Sequence, residues 1–131
     1  MRSIAAKHIE RIVKRSDYLR VARARRNSVA PGLVLQASVI GSSANGHGPR
    51  IGYTVSKKVG NSVSRNRARR RLKSIVNDVF SERAEEAFDY VLIGRVKTLE
   101  RTYDELLKDL QSALKYIHRM SKDGTKKTEN G

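Results

Sequence analysis

Residues 56–73 read "SKKVGNSVSRNRARRRLK": eight basic residues and no acidic one, with five of the eight between Arg65 and Arg71. Gly60 and Asn61 let the chain turn tightly, and from about Ser62 to Ala84 the apolar residues recur at helical intervals. Ala68, Leu72, Ile75, Val76, Val79 and Phe80 make one stripe, so the stretch opens an amphipathic helix with a buried side. At 100° per residue the stripe centres near roughly 40° from Ala68. Asn66, Arg69, Arg70 and Lys73 then occupy one flank at about 100–200°, and Arg67 and Arg71 the other at about 260–300°. The first turn adds unpaired backbone N–H groups and the positive end of the helix dipole, with Lys57 and Lys58 beside it.

Arginine suits phosphate, because its planar fork can donate two hydrogen bonds to one phosphate group. Like charges one turn apart, Arg65/Arg69 and Arg67/Arg71, weaken the isolated helix by a few tenths of a kcal/mol each. An arrangement that costs folding stability makes sense where a polyanion removes the repulsion on binding. A merely solvated helical face would intersperse acids, and here there are none.

The rest of the chain repeats the signal. Its 131 residues hold 28 Lys and Arg against 13 Asp and Glu, a formal net charge of +15. From Tyr18 to Asn77 there are thirteen basic residues and no acid, and eleven of the thirteen acids lie at or after Asp78. A basic first half and a balanced second half are what a nucleic-acid binder shows. The length fits one domain with a modest, mainly aliphatic core, since only 5% of residues are aromatic. No apolar run approaches the ~20 residues of a membrane span. With no cysteine and no signal-peptide pattern, the reading is a cytosolic protein.

Working outward, "SDYLRVARARR" (16–26) reads as a short helix with Ser16 as N-cap, and Tyr18, Val21 and Ala22 as its apolar stripe. Pro31-Gly32 breaks the chain before the strand "LVLQASVI" (33–40). A glycine-rich connector (41–49) leads to a second strand, "RIGYTVS" (50–56), and the two look like an antiparallel hairpin. "FDYVLIGR" (88–95) is a strand apolar enough to be buried on both faces. Thr102 and Glu105 have capping-box spacing ahead of a last helix striped by Tyr103, Leu106, Leu107, Leu110, Ala113, Leu114 and Ile117. This order describes an α+β domain over 16–119, with a basic N-terminal extension (1–15) and a tail (120–131) expected to be disordered.

Protein-based catalysis finds little support. His8, His47 and His118 lie on unrelated segments without metal-ligand spacing. No Gly-x-Ser-x-Gly occurs, and "GNSVSRN" lacks the Gly-Lys-Ser/Thr ending of a phosphate-binding loop. No catalytic side chain and no protein metal site are assigned. Tyr53 reads as a core aromatic beside Ile51 and Val55. Tyr18 serves equally as a core residue or as a stacking platform for an unpaired base.

The run "RIGYTVSKKVGNSVSRNRARRRLK" closely resembles the signature of the bacterial ribonuclease P protein family, whose Arg-Asn-Arg motif is here Arg65-Asn66-Arg67. The resemblance extends over the short helix, "LVLQASV", "YVLIGR" and the final helix. It implies a ribosomal protein S5 domain 2-like fold, in α-β-β-β-α-β-α order, with a left-handed β-α-β crossover around the signature helix. It also implies a protein that assists a catalytic RNA subunit, which uses Mg2+ to remove the 5′ leader from precursor tRNA. By position, Arg65, Asn66, Arg67, Arg69, Arg70 and Lys73 would contact the RNA subunit or organise metal-bound phosphate, while Tyr18, Val34, Gln36 and Thr54 would line a cleft for the single-stranded leader. Two positions depart from the family, which often has aromatics where this chain has Ala22 and Gln36. The competing readings are a stand-alone RNA binder of ribosomal-protein type and a self-sufficient protein nuclease, the latter disfavoured by the residue inventory.

Overall fold

Pro31 and Gly32 do make a turn, but the strands they join are β2 (Arg26–Ala30) and β3 (Leu33–Val39), antiparallel with Ala30 opposite Leu33. The computed structural model describes residues 9–39, 49–83 and 88–130. The glycine-rich connector apart from Pro49, most of the N-terminal extension, His8 and His47 lie outside the described residues. Ahead of the turn come β1 (Glu10–Arg11) and α1 (Arg15–Arg23). After it follow β4 (Arg50–Thr54), α2 (Ser62–Arg83), β5 (Phe88–Gly94) and α3 (Tyr103–Asn130). With β1 set aside, this is the α-β-β-β-α-β-α order.

The five strands form one mixed sheet in the order β1-β4-β5-β3-β2. β4 and β5 are parallel neighbours joined through α2, whereas β5 and β3 are antiparallel. The hairpin expected between residues 33–40 and 50–56 therefore does not form, because β5 inserts between its two strands. The reason is burial: six of its seven residues, Phe88 to Leu92 and Gly94, are buried, and a strand apolar on both faces belongs at the sheet centre.

Alternation along each strand divides the molecule. Leu33, Leu35, Ala37, Ile51, Val55, Tyr90 and Leu92 face α2 and α3 and form the main core. All six residues of the α2 stripe are buried there, as are five of the seven of the α3 stripe; Leu107 is partly buried and Tyr103 exposed. The opposite face carries a smaller cluster of Ile12, Val21 and Val91, with Tyr18 and Ile93 packed against it. Residues 9–12, read as extension, thus contribute Ile9 and Ile12 to the fold.

Two helix boundaries moved. Lys14 occupies the N-cap of α1 with no side-chain bond, so Ser16 lies inside the first turn, and Ala22 is exposed. α1 stops at Arg23 rather than Arg26 because Arg25 takes a left-handed conformation (φ 59°), which reverses the chain into β2. The capping box of α3 forms as read: Thr102 N donates to Glu105 Oε1 (2.9 Å), and Glu105 N to Thr102 Oγ1 (3.1 Å). That backbone bond holds the Glu105 carboxyl below its ordinary pKa. The helix runs on to Asn130, so the backbone of the expected tail continues α3. Once nucleated, a helix extends at little cost per residue.

Candidate nucleic-acid interface

The strand-to-helix transition that presents the basic residues is built from short polar contacts. Ser56 Oγ accepts from Lys58 N (3.3 Å) at the head of a single 3-10 turn, Lys57–Val59. Gly60 follows at φ 148°, a conformation that side chains disfavour. Asn61 Oδ1 then accepts from Ser64 N (2.9 Å), so one of the N–H groups of the first turn is already satisfied within the protein. Lys57 and Lys58 are exposed beside this turn.

The two flanks of α2 meet different neighbours. On one, Arg69 Nη1 donates to Asn66 Oδ1 (3.0 Å), Arg70 is exposed, and Lys73 Nζ lies 5.8 Å from the centre of the Tyr53 ring. Tyr53 is largely covered, and burial pushes its hydroxyl pKa up to about 12. On the other flank Arg67 is exposed, but Arg71 donates to the backbone oxygen of Arg101 ahead of α3. One turn further along, Tyr103 bonds Asp78 and the Ser74 carbonyl, so this side of α2 docks α3. The Nε atoms of Arg65 and Arg71 are buried without a hydrogen-bond partner. Asn66, Arg67 and Arg70 are the motif residues most open to a ligand, while Arg71 also serves the protein's own packing.

The other sheet face is organised in cross-strand rows. Arg50, Asp89 and Ser38 form the first, and Gly52, Val91, Gln36 and Asn27 the second. Thr54, Ile93, Val34 and Val29 form the third. α1 lies over the first two at one end and leaves the third open: Thr54 is exposed, Ile93 and Val34 are partly so, and Val29 is 68% exposed. Tyr18 caps this opening. Its hydroxyl donates to the Ile12 carbonyl and accepts from Tyr53 N, each at 3.3 Å, and its ring lies against Gly52. Tyr18 is thus chiefly a packing residue with a partly open ring. Val34, Gln36 and Thr54 lie on one face of the sheet, the face that Tyr18 of α1 packs against at Gly52.

A charge network that the sequence reading missed holds α1 in place. Asp89 is fully buried and accepts from Arg50 Nε (2.8 Å), Arg50 Nη2 (2.6 Å) and Arg20. Asp17 of α1 completes it, 3.4 Å from Arg20 and 3.6 Å from Arg50, and Arg20 also donates to Ser38 Oγ (3.1 Å). The bond to Asp89 raises the Arg50 pKa above its ordinary value. An acid inside an apolar strand was the available signal, because a buried carboxylate requires a partner. Ile93, Val29 and Asn27 share these rows, a placement the sequence does not announce because strand register sets it. Among the described residues no group of three or more His, Asp or Glu could hold a metal ion, and no helix is long and apolar enough to cross a membrane.

The comparisons with known proteins agree with this geometry. A family model described as Ribonuclease P matches residues 6–118. The chain is 52% identical over 118 residues to the ribonuclease P protein component of Paramagnetospirillum magneticum, covering 89% of each chain. It is 44% identical over 115 residues to that of Ruegeria pomeroyi, covering 87% of this chain and 90% of the relative. Among solved structures it is similar to the RNase P protein of Staphylococcus aureus, with a TM-score of 0.66 at 26% identity over 82% of this chain and 94% of that one. The Thermotoga maritima protein shares the fold at a TM-score of 0.65 and 22% identity, over 79% of this chain and 93% of that one. With its signature helix crossing between parallel strands and its sheet matched along nearly the whole length, the chain belongs to the ribonuclease P protein family.

Proposed function

We propose that the chain is the RNA-binding subunit of a ribonucleoprotein endoribonuclease that removes the 5′ leader from precursor tRNA. The observation that carries this reading is the pairing of two surfaces about β4. Tyr53 and Thr54 alternate across that strand, with Lys73 and the basic flank of α2 on one side and the open row of Thr54, Ile93 and Val34 on the other. Arg67, Arg70, Lys57 and Lys58 hold phosphates of the RNA subunit, with each guanidinium able to bind one phosphate by two bonds. Arg65, Asn66, Arg69 and Lys73 join them in contacting the RNA subunit or organising metal-bound phosphate near the cleavage site. The cleft takes the single-stranded leader, with Tyr18 at its rim and Gln36 and Thr54 supplying hydrogen bonds. The phosphodiester hydrolysis would belong to the RNA subunit, where bound Mg2+ would supply an activated water. A cytoplasmic location goes with these partners.

With the glycine and β-branched floor that this cleft has, grip on the leader leans on charge and hydrogen bonding more than on aromatic stacking. Precursor-tRNA cleavage is measured at low Mg2+ with the protein alone, the RNA subunit alone, and both together. Stimulation seen only in the mixture supports the reading. Cleavage by purified protein alone overturns it, and an RNA-dependent reaction indifferent to the protein favours a stand-alone RNA binder.

A further inference from the structure

β2 is an edge of the sheet among the described residues: β3 pairs with one side and no strand with the other. Beside it runs a groove of about 620 Å3, bounded by Asn27, Ser28 and Val29 of β2 and by Ser112, Lys115, Tyr116 and Arg119 of α3. Its size falls within the roughly 300–1,000 Å3 of ligand sites. The α3 members recur at helical spacing but stand beside the buried stripe of Leu106, Leu110, Ala113, Leu114 and Ile117, not on it. Tyr116 is left 46% exposed, which is unusual for an aromatic whose role is packing. Lys115 and Arg119 are like charges one turn apart, and no carboxylate lies among the lining residues. A cationic groove centred on an open aromatic ring has the chemistry of a single-strand platform, in which a base stacks while cations track its phosphates.

We propose that this groove is a second binding site for single-stranded RNA, in which Tyr116 stacks on an unpaired base and Lys115 and Arg119 hold the flanking phosphates. Ser28 and Ser112 offer hydrogen bonds to the base edges. Val29 belongs both to the open row of the cleft and to this groove, so a strand leaving the cleft meets the second site around the edge of β2. The inference rests on the reading of the chain as an RNA binder and adds a contact that neither α2 nor the cleft makes.

The test titrates a short fluorescent single-stranded RNA with the full-length chain across a salt series. The wild type is compared with Lys115→Ala/Tyr116→Ala/Arg119→Ala, with Tyr116→Phe, and with Arg67→Ala/Arg70→Ala. The triple variant is expected to bind roughly tenfold more weakly and to lose about 1.4 from the log–log salt slope, with its melting temperature unchanged. Tyr116→Phe keeps the stacking face and should bind like the wild type. A triple variant with wild-type affinity and slope, while Arg67→Ala/Arg70→Ala loses slope, overturns the groove and leaves the RNA reading standing. No binding by the wild type overturns both. A concentration-dependent dimer abolished by Ser28→Pro would assign the edge to a second copy of the chain and overturn the proposal.

Discussion

Asp89→Asn tests the network that seats α1 on the sheet. The wild-type carboxylate is buried and accepts from two guanidinium groups, whose side chains stay 20% exposed for Arg50 and 38% for Arg20. Asparagine keeps the shape but offers one acceptor oxygen, and its amide faces a cation. Charge-assisted bonds contribute about 1.5–3 kcal/mol each and neutral ones about 0.5–1.5. Downgrading two bonds and losing a third would therefore cost about 3.5–6 kcal/mol in a dry interior. Water can still reach the arginines, which brings the loss to about 3 kcal/mol, the lower end of the range seen when a fully buried pair is broken. For a domain of this size, that corresponds to a fall in Tm of about 10 °C. Urea denaturation at pH 7 should show a lower midpoint with the m-value unchanged, the mark of lost stability alone. Arg20→Ala should cost less, about 1–2 kcal/mol, because Arg50 still grips Asp89 at two points. The reasoning is refuted if Asp89→Asn lies within about 0.5 kcal/mol of the wild type, or if Arg20→Ala is the more damaging change.

A Cβ at Gly52 would sit 2.7 Å from the Tyr18 ring, so Gly52→Ala should cost about 1–3 kcal/mol. Pairing it with Tyr18→Ala in a double-mutant cycle should give clearly less than the sum, and strict additivity would count against the contact. Arg67→Ala and Arg70→Ala should leave urea unfolding unchanged and each remove about 0.7–0.9 from the salt slope of RNA binding. Arg71→Ala should instead lose about 1 kcal/mol of stability, because its guanidinium bonds the Arg101 carbonyl. Glu105 has a lowered folded pKa, so its capping contribution is full above the ordinary carboxylate value near ~4.3 and fades as pH falls through the lower folded value. Thermal melts of the wild type and Glu105→Gln should therefore converge in acid and separate toward neutrality.

Periodicity was enough to read both long helices, since an amphipathic stripe such as Ala68 to Phe80 is a property of the local chain. It also marked β5 as buried on both faces. Pairing was not readable in the same way. Residues 33–39 and 50–54 are near in sequence and separated by a long connector, so a hairpin is the economical guess. The actual arrangement depends on β5, a segment more than thirty residues further on. α1 was extended too far because nothing in "RARRN" announces that Arg25, a residue with a side chain, will adopt φ 59°. The basic surface was legible as composition, but its division was not. Only packing shows that Arg71 turns to α3 while Arg67 and Arg70 stay open. Tyr18 stood undecided until its hydroxyl was found bonded on both sides to backbone.

The position of β5 bears on how the molecule comes into being. β3 and β4 never touch, and each is held in the sheet through β5. Val34, Gln36 and Thr54 become one surface only when Phe88–Gly94 has joined them. A chain made from its N-terminus therefore displays the thirteen basic residues between Tyr18 and Asn77 before the strand that organises them exists. Pairing across so long a separation must first overcome loop-closure entropy and is correspondingly slow. For that interval the nascent protein is a polycation with charge but no shape. Charge comes with the first half of the sequence, and the surface that gives it form arrives with the last third.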